Sequence, residues 1–149
     1  MQKFDIQKLR SELDFSSPIQ IRFSDIDGYL HVNNGIYFNY YEHSRAIYLL
    51  EYCGWNVMDT GTVVASITID YLRPIHLEDQ VEALVACTRV GNTSFELDQF
   101  LIGKCKTGEE VVYSRCRCTL VSVDMKSMKP VPVPEVYRVK LQQKPEKRG

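Results

Sequence analysis

The hydrophobic period of the chain switches from two to helical and back again. Ile19, Ile21 and Phe23 alternate with polar neighbours, which predicts a strand over residues 19–24 with one face buried. From residue 35 to 52 the pattern becomes helical, with Ile36, Tyr40, Ile47 and Leu50 among apolar residues on most of the circumference. A helix that is apolar nearly all round has to be covered on several sides. Gly54 follows as a residue that accepts the left-handed conformation of a helix stop. The period then returns to two. Ala65, Ile67, Ile69 and Tyr71 alternate with Ser66, Thr68 and Asp70, a strand ending at Arg73-Pro74. Val81, Ala83, Val85 and Cys87 form the apolar side of the next strand, and Gly91-Asn92 gives a hairpin turn. Phe95, Leu97 and Leu101 mark another, with Thr107-Gly108 as its turn, and a long last strand spans residues 110–123. Residues 4–13 predict a short amphipathic helix ahead of Ser16-Ser17-Pro18. Pro130, Pro132 and Pro134 break the pattern before a short C-terminal helix and a charged, frayed tail.

One strand, one long helix and four strands joined mostly by hairpins predict an α+β fold. An antiparallel sheet of five or six strands should wrap its concave face around the helix. With 149 residues, the chain suits one domain over 1–149 with its core at about 18–135, able to bury that core without disulfides or metal. Leu84, Phe100 and Ile102 fall at outward strand positions, which suggests sheet-to-sheet packing between dimers.

Composition removes several function classes. A net charge of −1 argues against nucleic acid and against a polybasic membrane contact, because both need surplus Lys and Arg. The five cysteines are expected as isolated thiols in a reduced, cytoplasmic setting. Cys116 and Cys118 share a strand face and cannot easily bridge. The three His are scattered, so no metal site is expected. Lys3 and Asp5 do not suit a signal peptide, and no apolar run approaches a membrane span.

The chemistry concentrates in residues 22–45, where a strand end meets a loop with Asp25, Asp27, His31, Asn33 and Asn34 just before the helix. A carboxylate beside the unpaired N–H groups of a helix start is the minimum equipment for attack on a carbonyl. Taken alone, Asp27 also suits an Asx turn, Asp25 a bond to local backbone, His31 an ordinary loop His, and Asn33 or Asn34 an N-cap. Glu42 and Arg45, three apart on the helix, are spaced to pair with each other.

Asp25-Ile26-Asp27 with His31-Val32-Asn33-Asn34, then Tyr41-Glu42 and Arg45, resembles the hot-dog thioesterase superfamily. Ile69-Asp70-Tyr71-Leu72-Arg73-Pro74-Ile75 with Asp79, and Thr93-Ser94-Phe95, extend the likeness over about residues 18–135. The pattern is most similar to the branch of 4-hydroxybenzoyl-CoA thioesterases and bacterial acyl-CoA thioesterases, with plant acyl-carrier-protein thioesterases as relatives. The resemblance implies hydrolysis of an acyl-CoA or acyl-carrier-protein thioester by a homodimer or homotetramer, without metal or redox cofactor. Asp27 corresponds to the catalytic carboxylate, acting as nucleophile or general base, and the Asn34 backbone N–H to the oxyanion donor. His31 stands where some relatives place an active-site His. Other members take their carboxylate from the helix, where this chain has Glu42. Tyr29, Tyr37, Tyr41 and Ser94 are the expected substrate contacts, Tyr40 lies with them along the acyl space, and Ser94 resembles a position facing the neighbouring subunit's site. Tyr29 also replaces an Asn of the plant relatives. The turn at Val90-Gly91-Asn92-Thr93 lacks the basic residues that meet coenzyme A phosphates in some relatives, leaving Arg89, Arg115 and Arg117 as candidates. The rival readings are a hot-dog dehydratase, whose Pro-rich His motif is missing here, and a non-catalytic acyl-thioester-binding module.

Overall fold

The period-two segments pair as their alternation requires. A computed structural model describes residues 3–13 and 15–143; the predicted charged tail lies outside the described residues. Strands β1 (Phe15–Ile19), β2 (Thr60–Tyr71), β3 (Gln80–Val90), β4 (Ser94–Lys104) and β5 (Glu110–Asp124) form one antiparallel sheet in the order β1-β3-β4-β5-β2. It wraps around α2 (Ile36–Ile47), giving the expected α+β architecture with five strands. Among the described residues no helix is long and apolar enough to cross a membrane.

The first strand lies earlier than the alternation suggested. Phe15, Ser17 and Ile19 turn inward and pair with Val85, Ala83 and Val81 of β3. Past Ile19 that ladder ends, so the amides of residues 20–25 need other partners. Residues Phe23–Asp25 instead make a 3₁₀ turn in which the Arg22 amide donates to Asp25 Oδ2 at 3.0 Å. Phe23, whose spacing mimicked a core position, is 82 % exposed.

Helix α2 buries Tyr37, Tyr40, Tyr41, Ser44 and Arg45 and continues as a π-helical turn over Tyr48–Tyr52. Gly54 then takes φ +62°, as the helix stop requires, and the Trp55 amide closes back on the Leu49 carbonyl at 2.9 Å. Trp55 is buried between Phe95 and Tyr137, stacking on Tyr137 at 4.5 Å, which fixes α3 (Glu135–Gln142) over this end of the sheet. Under the middle of α2, the Gln99 side chain of β4 donates to Ser44 Oγ (2.6 Å) and the Tyr41 carbonyl (3.0 Å), while Arg45 donates to Gln99 Oε1 at 3.3 Å. Arg45 therefore turns into the core rather than toward Glu42: among the described residues no ion pair joins the two.

The outward apolar residues also have a different fate from the one expected. Helix α1 (Ile6–Glu12) is capped by Asp5, whose carboxylate accepts the Gln7 and Lys8 amides. It lies on the outer face of the sheet, where Leu9 and Leu13, with Phe4 and Ile6, pack on Leu84, Phe100 and Ile102. Arg10 pairs with Glu82 and Glu110 at the side. The chain covers its own patch, so those residues are not available for sheet-to-sheet contact while α1 is docked. Leu9→Ala should lower unfolding free energy by about 2–3 kcal/mol in urea melts, the usual scale for a Leu truncated in a packed cluster. A change below about 0.5 kcal/mol would mean that α1 is not docked in solution.

Candidate active site

The loop between β1 and α2 is folded by its own polar side chains. Asp25 Oδ2 accepts the Arg22 amide and, at 2.6 Å, the hydroxyl of Tyr40 from the first turns of α2. The Asp25 carbonyl accepts the Asn33 amide at 2.9 Å, so Asp25 closes the loop on itself, in the local role its position suggested. Asp27 makes the Asx turn: its Oδ1 accepts the Tyr29 amide at 2.9 Å. Its backbone amide donates to the His31 carbonyl, and the Leu30 amide returns to the Asp27 carbonyl. Leu30, at the tip, holds φ +67°, a conformation uncommon for a residue with a γ-branched side chain.

The second carboxylate oxygen of Asp27 faces the helix start. Oδ2 accepts only Asn33 Nδ2, at a long 3.4 Å, and so keeps capacity for another partner. Asn33 Oδ1 accepts the Gly35 amide at 2.8 Å, and the Asn33 carbonyl accepts the Ile36 amide. Neither Asn is the N-cap expected from the sequence: Asn33 makes an Asx turn just ahead of α2, and Gly35 takes the cap position without a side-chain cap bond. The Asn34 amide has no acceptor among the described residues. Its carbonyl is held from the other side by the Tyr71 hydroxyl at 2.9 Å, which fixes the plane of the neighbouring peptide and the entry into the helix. The Asn34 position is a donor at a helix N-terminus, where the dipole favours negative charge.

The sequence residues converge unequally. Asp27, His31, Asn33 and Asn34 share one loop, with Tyr71, Leu72, Arg73 and Pro74 beside them; His31, Asn34, Tyr37 and that stretch line a cavity of about 180 Å³. Tyr29 is at the rim, 81 % exposed and stacked on His31 at 6.2 Å. Tyr37 and Tyr41 are buried. Burial pushes the Tyr37 hydroxyl up to about 12, so it stays protonated, and it donates to the Arg73 carbonyl at 3.4 Å. Glu42 is exposed farther along α2 on a separate groove. Ser94 starts β4 at the opposite end of the sheet: it pairs with Val121, whereas Tyr71 pairs with Ser114. The two partners are seven steps apart along β5, about 23 Å at strand rise. The Arg candidates for phosphate are each held by an acid, Arg89 by Glu96, Arg115 by Asp98 and Arg117 by Asp70.

Two residues escaped the sequence reasoning. Tyr71 belongs to the Ile69–Ile75 motif, and only the fold reveals that its hydroxyl reaches Asn34. His76 meets His31 edge-on at 5.9 Å, and its amide and ring face Asp79; nothing in its spacing from His31 signals that contact. Neither Cys53 nor Cys87 is suited as a nucleophile, since burial pushes their thiols up to about 12 and about 11. Among the described residues no group of three or more His, Cys, Asp or Glu is placed to hold a metal ion.

Similarity to known proteins points to one family. The family model described as the thioesterase superfamily matches residues 29–104. The uncharacterized protein YsmA of Bacillus subtilis (strain 168) is 33% identical over 95 residues, 61% of this chain and 63% of YsmA, so the match spans less than two thirds of that relative. A thioesterase from Thermus thermophilus, solved with coenzyme A and Zn, is 29% identical with a TM-score of 0.71, covering 86% of this chain and 97% of that one. A mutant 4-hydroxybenzoyl-CoA thioesterase solved with 4-hydroxybenzoyl CoA has a TM-score of 0.77 over 86% of this chain and 98% of that one; at 15% identity this is a likeness of fold, and the fold is the hot-dog arrangement.

The Asp25–Tyr40 bond carries the loop geometry onto the helix. Tyr40→Phe should cost about 1.5–3 kcal/mol, the range for a hydrogen bond to a charged group, read as a lower melting temperature. Asp25→Ala, which also releases the Arg22 amide, should cost at least as much. Equal melting curves for all three proteins would refute this role.

Proposed function

The chain belongs to the thioesterase superfamily, and from that premise we propose that it hydrolyses acyl-coenzyme A thioesters, with Asp27 as the catalytic carboxylate and the Asn34 amide as oxyanion donor. The observation that carries this reading is the juxtaposition of a carboxylate oxygen with spare capacity and an amide without an acceptor, on the two sides of Asn33. The Tyr29 amide fixes one oxygen of Asp27 and leaves the other to act on the carbonyl, directly or through a water whose proton it takes. As the carbonyl carbon becomes tetrahedral, its oxygen gains charge against the Asn34 N–H and the positive end of α2. When water attacks, the carbon–sulfur bond then breaks and the departing thiolate takes up the proton that Asp27 drew from that water. When Asp27 attacks, the thiolate leaves behind an Asp27 acyl anhydride that water then cleaves. Both routes end in free acid and thiol. Single turnover in heavy-oxygen water tests the direct route, since label in the Asp27 carboxylate requires an anhydride cleaved by water at the Asp27 carbonyl.

On this reading the enzyme is a homodimer. Strand β2 is a free edge of 12 residues with exposed Val63 and Val64, a template for another strand. Antiparallel pairing of β2 with its copy lays the Thr60 end of one against the Tyr71 end of the other. That brings the Ser94 end of one protomer alongside its partner's Asn34, which supports Ser94 as a contact across the interface. The five cysteines are free thiols, which fits a reducing cytoplasm.

Asp27→Asn should remain folded while thiol release from acyl-CoA falls by about two orders of magnitude or more, the scale for losing an acid–base group. Glu42→Gln is the control and should retain most of the turnover. A normal Asp27→Asn enzyme beside an inactive but folded Glu42→Gln enzyme would move the carboxylate to the helix. Light scattering of the active protein should give at least the dimer mass; full activity in a monomer would sink the shared-site arrangement.

A further inference from the structure

The stretch that follows β2 ends in a turn closed by Asp79, a carboxylate that takes no part in the hydrolysis itself. Its side chain is only 1 % exposed. Oδ2 accepts the His76 amide at 2.9 Å, and the Asp79 amide returns to the His76 carbonyl at 3.1 Å. Oδ1 is buried without a hydrogen-bond partner, and so is the hydroxyl of Tyr113 on β5. The two groups are neighbours: burial, and then the Asp79 carboxylate beside it, hold the Tyr113 hydroxyl well above its ordinary range. Among the described residues the one basic group paired with Asp79 is His76, whose Nδ1 lies 3.7 Å from Oδ2. A carboxylate desolvated to this degree is costly. An Asn would accept the His76 amide equally well at less cost, so the local turn alone does not call for an acid.

What the acid adds is acceptance on both oxygens. A carboxylate only accepts, so the Tyr113 hydroxyl and the His76 ring can each present a donor to it. The turn held in this way reaches both members of the reacting pair. Immediately before it, the Ile75 carbonyl accepts the Val32 amide at 2.8 Å, just ahead of Asn34. The His76 ring meets the His31 ring at 5.9 Å, and the His31 carbonyl accepts the Asp27 amide at 3.1 Å. Tyr113 grips the same stretch with its backbone, its carbonyl accepting the Leu72 and Arg73 amides at 2.9 and 3.1 Å.

We propose that Asp79 and Tyr113 are positioning residues: set against each other in the core, they fix the turn from Ile75 to Asp79, and that turn fixes the spacing of the Asp27 carboxylate and the Asn34 amide. Neither lines the cavity of the site. The catalytic consequence rests on the thioesterase reading, whereas the effect on the loop does not. A misplacement of about 1 Å between reacting groups costs on the order of 10²-fold in rate. A clamp outside the cavity therefore acts on turnover rather than on affinity.

Asp79→Asn and Tyr113→Phe each break the clamp with a single atom exchanged or deleted. Backbone amide exchange is followed by NMR in the ligand-free, full-length protein, and hydrolysis is measured with decanoyl-coenzyme A and benzoyl-coenzyme A. In each variant the Val32 amide should exchange about 10-fold faster. In each, kcat should fall about 10- to 100-fold while KM stays within about 2-fold. The double variant should lose no more than the worse single one, because both act through one contact. The melting temperature of Asp79→Asn should not fall, since a neutral amide relieves a desolvated carboxylate; this separates positioning from general stabilisation. A lower melting temperature with kcat unchanged makes the pair purely structural and overturns the proposal. So does a raised KM at constant kcat, or a slowed variant whose Val32 amide is as protected as before. If Asp79→Asn does not fold, Tyr113→Phe decides by the same readings. An unmodified protein that hydrolyses no acyl-CoA removes the catalytic reading alone, and exchange at Val32 then decides whether Asp79 and Tyr113 hold the loop.

Discussion

The Val32 amide donates to the Ile75 carbonyl at 2.8 Å, and the Tyr71 hydroxyl donates to the Asn34 carbonyl at 2.9 Å. These two bonds join the loop before α2 to the exit of β2, two stretches that are remote in sequence. A loop rich in Asn and Gly would otherwise keep much of its conformational freedom. Val32 is almost wholly buried, as is Ile75, so the tie is made in a dry environment where an unmade bond is expensive. Asp27, Asn33 and the first amides of α2 inherit their positions from it. The loop before α2 is held in place because a strand end ties it down.

The buried polar layer under α2 sets a second constraint. Gln99 satisfies Ser44 and the Tyr41 carbonyl and accepts from Arg45 and, at 3.7 Å, from Cys118 Sγ. The hydrogen bond shared with Cys116, with Arg45 nearby, holds the Cys118 thiol below its ordinary range and Cys116 above it. Such a network tolerates only one register of helix against sheet, since a shift by one residue strands several buried polar groups at once. Packing of the tyrosines supplies affinity between helix and sheet; Gln99 supplies the address.

The two edges of the sheet are handled differently. β1 is short, carries Pro18, and is followed by a turn that withdraws the chain, all features that discourage further pairing. The outer face behind it is covered by α1. β2 is long and retains exposed Val63 and Val64. A register shift between Val64 and Ser66 adds a bulge there, which raises the local twist of the edge. The asymmetry leaves one edge open for association.

The order of elements was written in the hydrophobic period: the long apolar helix, the four following strands, the Gly54 stop and the cluster of Asp and Asn before the helix are all consequences of local pattern and local backbone chemistry, whereas the pairing of β2 with β5 rather than with the next strand β3 was not. The Asx turn at Asp27 belongs with the local features, because its partner lies two residues on, whereas Asp25 adds to the nearby Arg22 amide the Tyr40 hydroxyl from the helix. What the pattern misread are positions where a distant partner decides. Phe23 keeps the strand period but has no strand to pair with beyond Ile19. Leu84, Phe100 and Ile102 look unpartnered until α1 folds over them. Arg45 has a neighbouring acid at helical spacing and turns away from it to Gln99, and Tyr71 acquires its role only where β2 ends against Asn34. Periodicity records which face of an element is dry. It holds no record of which residue from elsewhere will stand opposite, since that depends on the closing of long loops and on the relief of desolvated polar groups, and both are settled only when the whole chain packs.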